Sequence, residues 1–251
     1  MFNFFVNETD RNGDAYYITG SDVNHIKNVL RMSVGQEILV SCNGKTALCS
    51  ISHMDGDTVT ASIIDEDFKD TSLPVDLYLF QGLPKSDKLE LIIQKAVELG
   101  AAGIIPVEMS NCVVKLDDKK KKSKVERWQA IAESAAKQSK RSVIPKVFEV
   151  MNYKQALKQA SELDLFIVPY ENADGMKATR EALTALESCK SAGILIGPEG
   201  GFDPKEIDLA LENGAKTVSL GKRILRTETA AIAALSMCML HIEMNVNGEE
   251  K

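Results

Sequence analysis

The chain has 251 residues, 44% of them apolar and 26% charged. This is the composition of a folded globular protein of one or two domains and excludes a disordered or fibrous chain. A formal charge of −6 gives no global attraction to nucleic acid or to an acidic membrane, so a polyanion partner has to be met by a local patch.

Five cysteines without a CxxC pair, and only three histidines, argue against a disulfide framework or a resident metal. The apolar start, residues 1–6, is too short for a signal h-region and lacks a basic segment. No run reaches the roughly 18–20 apolar residues of a membrane span. These features predict a cytoplasmic protein without membrane contact.

In chain order, residues 16–19, 37–42 and 46–51 alternate or carry β-branched side chains, and Asp55-Gly56-Asp57 turns into a strand at 58–64. One helix is predicted among them, with Asp22 as N-cap and Val23, Ile26, Val29 and Leu30 on one face. Short strands around a single helix indicate a small barrel. Over residues 1–70 the balance is five basic against eleven acidic groups, or −6. The pattern breaks at 68–74, which divides the chain into regions 1–71 and 72–251.

Beyond that break, apolar strands at 75–80, 104–107, 165–168, 193–196 and 217–220 alternate with helices. The helices are predicted at 85–99, 123–140, 176–188 and 204–213, and a last, largely apolar one at 227–246. Gly100 stops the first. Continuous apolar strands separated by helices predict an α/β domain with a mostly parallel sheet covered on both faces.

Two loops follow buried strands. The first, Ile196-Gly197-Pro198-Glu199-Gly200-Gly201-Phe202, precedes Asp203-Pro204, which reads as the N-cap and first residue of a helix. Its glycines allow close backbone approach to a ligand beyond the strand ends, and tight-turn chemistry explains them equally well. The pattern is neither a dinucleotide nor a P-loop fingerprint, which counts against a nucleotide-dependent α/β enzyme. The second loop, Leu220-Gly221-Lys222-Arg223-Ile224-Leu225-Arg226, places three cations before a helix. It reads either as an anion site or as a cationic loop with Thr227 as plain N-cap.

Residues 115–146 hold eleven basic and four acidic groups, +7 against −13 for the rest of the chain. The run 119–122 by itself reads as a solvated loop. Lys137, Lys140 and Arg141 continue the charge along the following helix and point to a polyanion-facing surface.

Five stretches together resemble one family: Lys85 through Gly100, Glu126-Arg127-Trp128, Ala135 through Arg141, Ile196 through Phe202, and Leu225 through Ala230. They are similar to the small-subunit ribosomal RNA uridine N3-methyltransferases of the knotted SPOUT superfamily. Lys222 stands where the family pattern has proline.

The resemblance implies a PUA-like RNA-binding β-barrel over 1–71 and a SPOUT methyltransferase domain with a carboxyl-terminal trefoil knot over 72–251. It further implies S-adenosylmethionine as cofactor, 16S ribosomal RNA of the small subunit as substrate, and a homodimer. By position, the cofactor would lie against Val168 and Pro169, against Ile196, Gly197, Pro198, Glu199 and Gly200, and against Leu220, Gly221, Ile224, Leu225 and Arg226. Arg226 would stabilise developing charge, with Glu228 or Glu199 as base, although helix capping explains both glutamates as well. Arg31, Lys85, Lys88, Arg141, Lys222 and Arg223 are the candidate RNA contacts. A non-catalytic RNA-binding or ribosome-assembly module on the same fold is the competing expectation.

Overall fold

The computed structural model describes residues 1–68, 71–171 and 175–246. It divides into two compact units, Met1–Ser72 with Ser134–Ile144, and Leu73–Glu133 with Pro145–Lys251. Residues 134–144, which the sequence places with the larger region, thus pack with the smaller one.

The first unit contains strands β1 (Asn3–Phe5), β2 (Arg11–Asn12), β3 (Ala15–Thr19), β4 (Glu37–Cys42), β5 (Lys45–Met54) and β6 (Thr58–Asp65). They form one sheet in the order β1-β4-β5-β6-β3-β2. Every pair is antiparallel except β1 with β4. Alternation along the strands turns Phe4, Ile18, Ile38, Val40, Ile51 and Val59 into the core.

Helix α1 (Ser21–Asn24) runs into a π-helical turn, His25–Val29. The N-cap is Gly20, not Asp22. The Asp22 carboxylate instead accepts from Lys137 Nζ at 2.9 Å. Residues 69 and 70, inside the predicted boundary, lie outside the described residues.

The second unit is built on a parallel sheet. Its strands are β7 (Asp76–Gly82), β8 (Gly103–Glu108), β9 (Lys146–Val147), β10 (Met151–Asn152), β11 (Leu165–Pro169), β12 (Ser191–Ile196) and β13 (Lys216–Val218). The order is β10-β8-β7-β12-β11-β13, with β9 on β8. Every pairing among the described residues of this sheet is parallel. Leu77, Leu79, Ile104, Ile105 and Ile194 are fully buried in it, as expected for strands covered on both faces.

The helices are α2 (Lys88–Glu98), α3 (Asp118–Ser139), α4 (Tyr153–Ala160), α5 (Lys177–Leu186), α6 (Pro204–Glu212) and α7 (Thr227–Asn245). Helix α2 begins three residues later than predicted, because Ser86 has φ +55° and breaks the helical path. It stops at Gly100, whose φ is +87°. Helix α3 begins five residues early. Asp117 Oδ1 accepts the Lys120 N–H at 2.9 Å, so the lysine run forms helical turns and not a loop.

Helix α4 is an addition to the predicted set. Its signal is local: the Asn152 side chain accepts from the Gln155 N–H at 3.0 Å, and Gln155 Oε1 accepts from the Asn152 N–H at 3.1 Å, a reciprocal cap. Helix α6 starts as predicted, with Asp203 as cap and Pro204 in the first turn. No helix among the described residues is long and apolar enough to cross a membrane.

Candidate active site

The carboxyl ends of β11, β12 and β13 open on a cavity of about 600 Å³. Three loops wall it: residues 169–171 after β11, 196–202 at the end of β12, and 219–226 after β13. Of the predicted cofactor positions, Pro169, Ile196 through Gly200, Leu220, Gly221, Ile224, Leu225 and Arg226 line this space. Val168 does not; it is 0% exposed and belongs to the strand core. The lining also includes Tyr170, Phe202, Lys88 and Thr227. Tyr170 and Phe202 meet edge to face, with ring centroids 6.3 Å apart.

Gly200 shows why the first loop is glycine-rich. A Cβ there would fall 2.9 Å from Asn111 Cβ and 3.1 Å from its carbonyl oxygen, closer than side chains pack. Asn111 Nδ2 in turn donates to the Gly200 and Gly201 carbonyls, each at 3.2 Å. Gly200 thus packs tightly against Asn111 while lining the cavity.

Lys88, in the first turn of α2, holds two carboxylates. Its Nζ is 3.1 Å from Glu199 Oε1 and 3.1 Å from Glu228 Oε2. The second contact is an ion pair lying off the direction of a hydrogen bond, since Glu228 Oε2 is buried without a hydrogen-bond partner among the described residues. Glu199 also accepts the Lys85 N–H at 3.1 Å.

Burial pushes the Glu199 carboxyl up, but its own backbone N–H, Lys88 and the Lys85 N–H outweigh this and hold it below the ordinary 4.5. At Glu228 burial is likewise outweighed, by its own backbone N–H, Lys88 and the charge of Arg226. The Lys88 ammonium is raised, by Glu199 first and Glu228 second. Both glutamates are thus anionic and already engaged, which makes either a weak base. Lys88, expected among the RNA contacts, lines the cavity and pairs with both carboxylates.

Thr227 is not the cap of α7. Arg226 takes that position, with extended backbone, and the Thr227 hydroxyl donates to the Gly197 carbonyl at 2.7 Å. The Arg226 and Arg223 side chains are exposed and line the cavity, and Ile224 between them is 85% exposed. Of the other candidate RNA contacts, Arg31, Lys85 and Lys222 are exposed. Arg141 is buried, at 8% exposure. Among the described residues no three His, Cys, Asp or Glu side chains are grouped to hold a metal ion.

A family model described as an RNA methyltransferase domain matches residues 71–239. The chain belongs to this RNA methyltransferase family. A second model, an RNA methyltransferase PUA domain, matches residues 18–64. The small unit of this methyltransferase family member is therefore PUA-like, and its α/β unit is SPOUT-like. Among relatives, the ribosomal RNA small subunit methyltransferase E of Bacillus subtilis is 41% identical over 92% of this chain and 91% of its own length.

Solved structures agree. A ribosomal RNA small subunit methyltransferase E from Neisseria gonorrhoeae, bound to S-adenosylmethionine, superposes with a TM-score of 0.80 at 32% identity, covering 94% of this chain and 95% of its own. A putative methyltransferase from Legionella pneumophila, in complex with the same cofactor, gives 0.82 at 28% identity, covering 95% and 96%.

Proposed function

We propose that this chain transfers a methyl group from S-adenosylmethionine to N3 of one uridine in 16S ribosomal RNA of the small subunit, in the cytoplasm and as a homodimer. In this reading residues 1–71 are an RNA-binding barrel, and residues 72–251 a catalytic domain carrying a trefoil knot. The observation that carries it is the three-loop cavity at the strand ends. Its volume of about 600 Å³ lies within the roughly 300–1,000 Å³ typical of small-molecule sites. The activities named for the relatives agree with it.

The residues present fit the cofactor. Ile196, Gly197 and Gly200 of one loop, with Leu220, Gly221 and Leu225 of the other, offer backbone amides and carbonyls beside apolar side chains. Bound there, S-adenosylmethionine supplies an electrophilic methyl group on a sulfonium.

Uracil N3 lies on the Watson–Crick edge, so the target base has to be unpaired or turned out of its stack. The nitrogen also carries a proton, whose loss spreads negative charge onto the flanking carbonyl oxygens. In this reading Arg226, exposed at the cavity and N-cap of α7, pairs with one of those oxygens. Glu199 and Glu228 are held by Lys88, so their part is to position the loops, and the proton passes to water. Alignment of the reacting atoms supplies much of the rate.

The test is incubation with small ribosomal subunits, or naked 16S RNA, and methyl-labelled S-adenosylmethionine, followed by mass-spectrometric mapping of the modified base. One 3-methyluridine is expected. Binding to subunits without label transfer would overturn the enzymatic reading in favour of a non-catalytic RNA-binding module.

A further inference from the structure

Gln81 is the penultimate residue of β7, in register with Ile196 at the end of β12, and it is fully buried. Its Nε2 lies 3.0 Å from the Gly82 carbonyl and 2.9 Å from the Thr227 hydroxyl. A backbone carbonyl only accepts, so the amide atom beside it has to be nitrogen. This fixes the orientation of the amide and, through it, that of the hydroxyl. The second N–H of Gln81 donates to Thr227 Oγ1, which leaves the single hydroxyl proton for the Gly197 carbonyl, 2.7 Å away.

Gln81 Oε1 has no hydrogen-bond partner among the described residues. A buried acceptor without a partner is costly. Methionine would fill a similar volume without that cost, so what glutamine adds at this position is its donor.

We propose that Gln81 is a positioning residue for the cavity: acting through Thr227, it directs one hydroxyl proton to the Gly197 carbonyl and so fastens the 196–202 loop to the first turn of α7. The 219–226 loop leads directly into Thr227, so this one chain of hydrogen bonds sets the spacing of two cavity loops. The inference rests on the reading of that cavity as the S-adenosylmethionine site.

The experiment is calorimetric titration of S-adenosylmethionine into the full chain, alongside label transfer to small subunits and binding of their RNA. Thr227→Val removes the hydroxyl at nearly constant volume, Thr227→Ser keeps it, and Gln81→Met removes the amide donors to Thr227 Oγ1 and to the Gly82 carbonyl. Cofactor affinity should fall about tenfold in Thr227→Val and stay within about twofold of the parent in Thr227→Ser. In Gln81→Met, where the hydroxyl is free to turn, it should fall about threefold, with RNA affinity unchanged.

Parent-like binding by Thr227→Val, or equal losses in Thr227→Ser and Thr227→Val, would overturn the inference while the cavity reading stands. Should Thr227→Val fail to fold, parent-like binding by Gln81→Met overturns it alone. A parent chain that binds no S-adenosylmethionine overturns the cavity reading and the inference together.

Discussion

Lys88 Nζ lies 3.1 Å from Glu199 Oε1, and the same ammonium pairs with Glu228 at the start of α7. One cation therefore joins α2 to the 196–202 loop and to α7. Replacing it by an apolar side chain of similar length leaves two carboxylates with no opposite charge between them, and like charges disfavour joint ionisation. Lys88→Met should weaken S-adenosylmethionine binding about tenfold, and Lys88→Arg should recover part of the loss. Calorimetric titration of the three proteins checks this; unchanged affinity in Lys88→Met would show that the Lys88 charge does not shape the cofactor site.

The same clasp has a pH signature. Glu199 and Glu228 titrate below their ordinary 4.5 in the folded chain, so the unfolded chain binds more protons between the lowered values and 4.5. Stability from these groups is complete above about pH 4.5 and is lost as the pH falls through the lowered values. The difference in Tm between the parent and Lys88→Met should accordingly be largest near pH 6 and shrink towards pH 3. Asp117 and Asp164 also titrate low, but they are common to both proteins and drop out of the difference. A pH-independent gap would show that Lys88 acts through packing and not through charge.

Arg226 is exposed at the cavity and is assigned to the charge that develops on the uracil carbonyls. A donor aimed at developing charge contributes to rate more than to ground-state binding. Arg226→Ala should lower label transfer about a hundredfold and leave cofactor affinity within about threefold of the parent. Near-parent turnover would refute the assigned role.

The parallel sheet was legible because its strands are continuous apolar runs, and the start of α6 because Asp203-Pro204 is a local signal. Local grammar was also the limit. The apolar start, residues 1–6, read as too short for a signal segment, and the membership of residues 3–5 in a sheet depends on β4, more than 30 positions away. The lysines at 119–122 read as a loop because their charge outweighs a helix whose start is set by Asp117. Thr227 has the spacing of an N-cap, yet its hydroxyl is taken by Gly197 and Gln81, contacts no local pattern encodes. Nothing near Lys88 in the sequence reveals that Glu199 and Glu228 converge on it. Val168 and Arg141 were chosen by position and type, and their burial is a property of the fold that no local pattern encodes.

Gly200→Ala tests how closely the first loop is fitted. The new methyl group would meet Asn111 Cβ and carbonyl oxygen at 2.9 and 3.1 Å. The opposing atoms are a backbone oxygen and the root of a side chain, so relief requires the loop to move. Overpacking of this kind costs about 1–3 kcal/mol. A lower Tm together with about tenfold weaker S-adenosylmethionine binding is the expected result. Serine at the same position should do at least as much harm, because the clash begins at Cβ. Parent-like affinity in both would show that the loop is free to shift without affecting the cavity.

The cations of α3 divide into engaged and open groups, and this division predicts how each contributes to RNA binding. Lys121 pairs with Glu108 at 2.8 Å, Arg127 with Glu90 at 2.8 Å and Lys137 with Asp22 at 2.9 Å. Lys119 and Lys122 are exposed, and among the described residues neither forms an ion pair. A cation that neutralises a phosphate releases counterion and contributes about 0.7–0.9 to the slope of log affinity against log salt, whereas one already paired contributes less. The double variant Lys119→Ala with Lys122→Ala should therefore reduce the magnitude of that slope by about 1.5 for 16S RNA, while Lys121→Ala should change it by less than half as much. Filter-binding titrations between about 50 and 200 mM salt measure both. Equal slopes for the parent and the double variant would place the RNA surface elsewhere on the chain, with Arg223, Lys222 and Arg31 the next cations to neutralise.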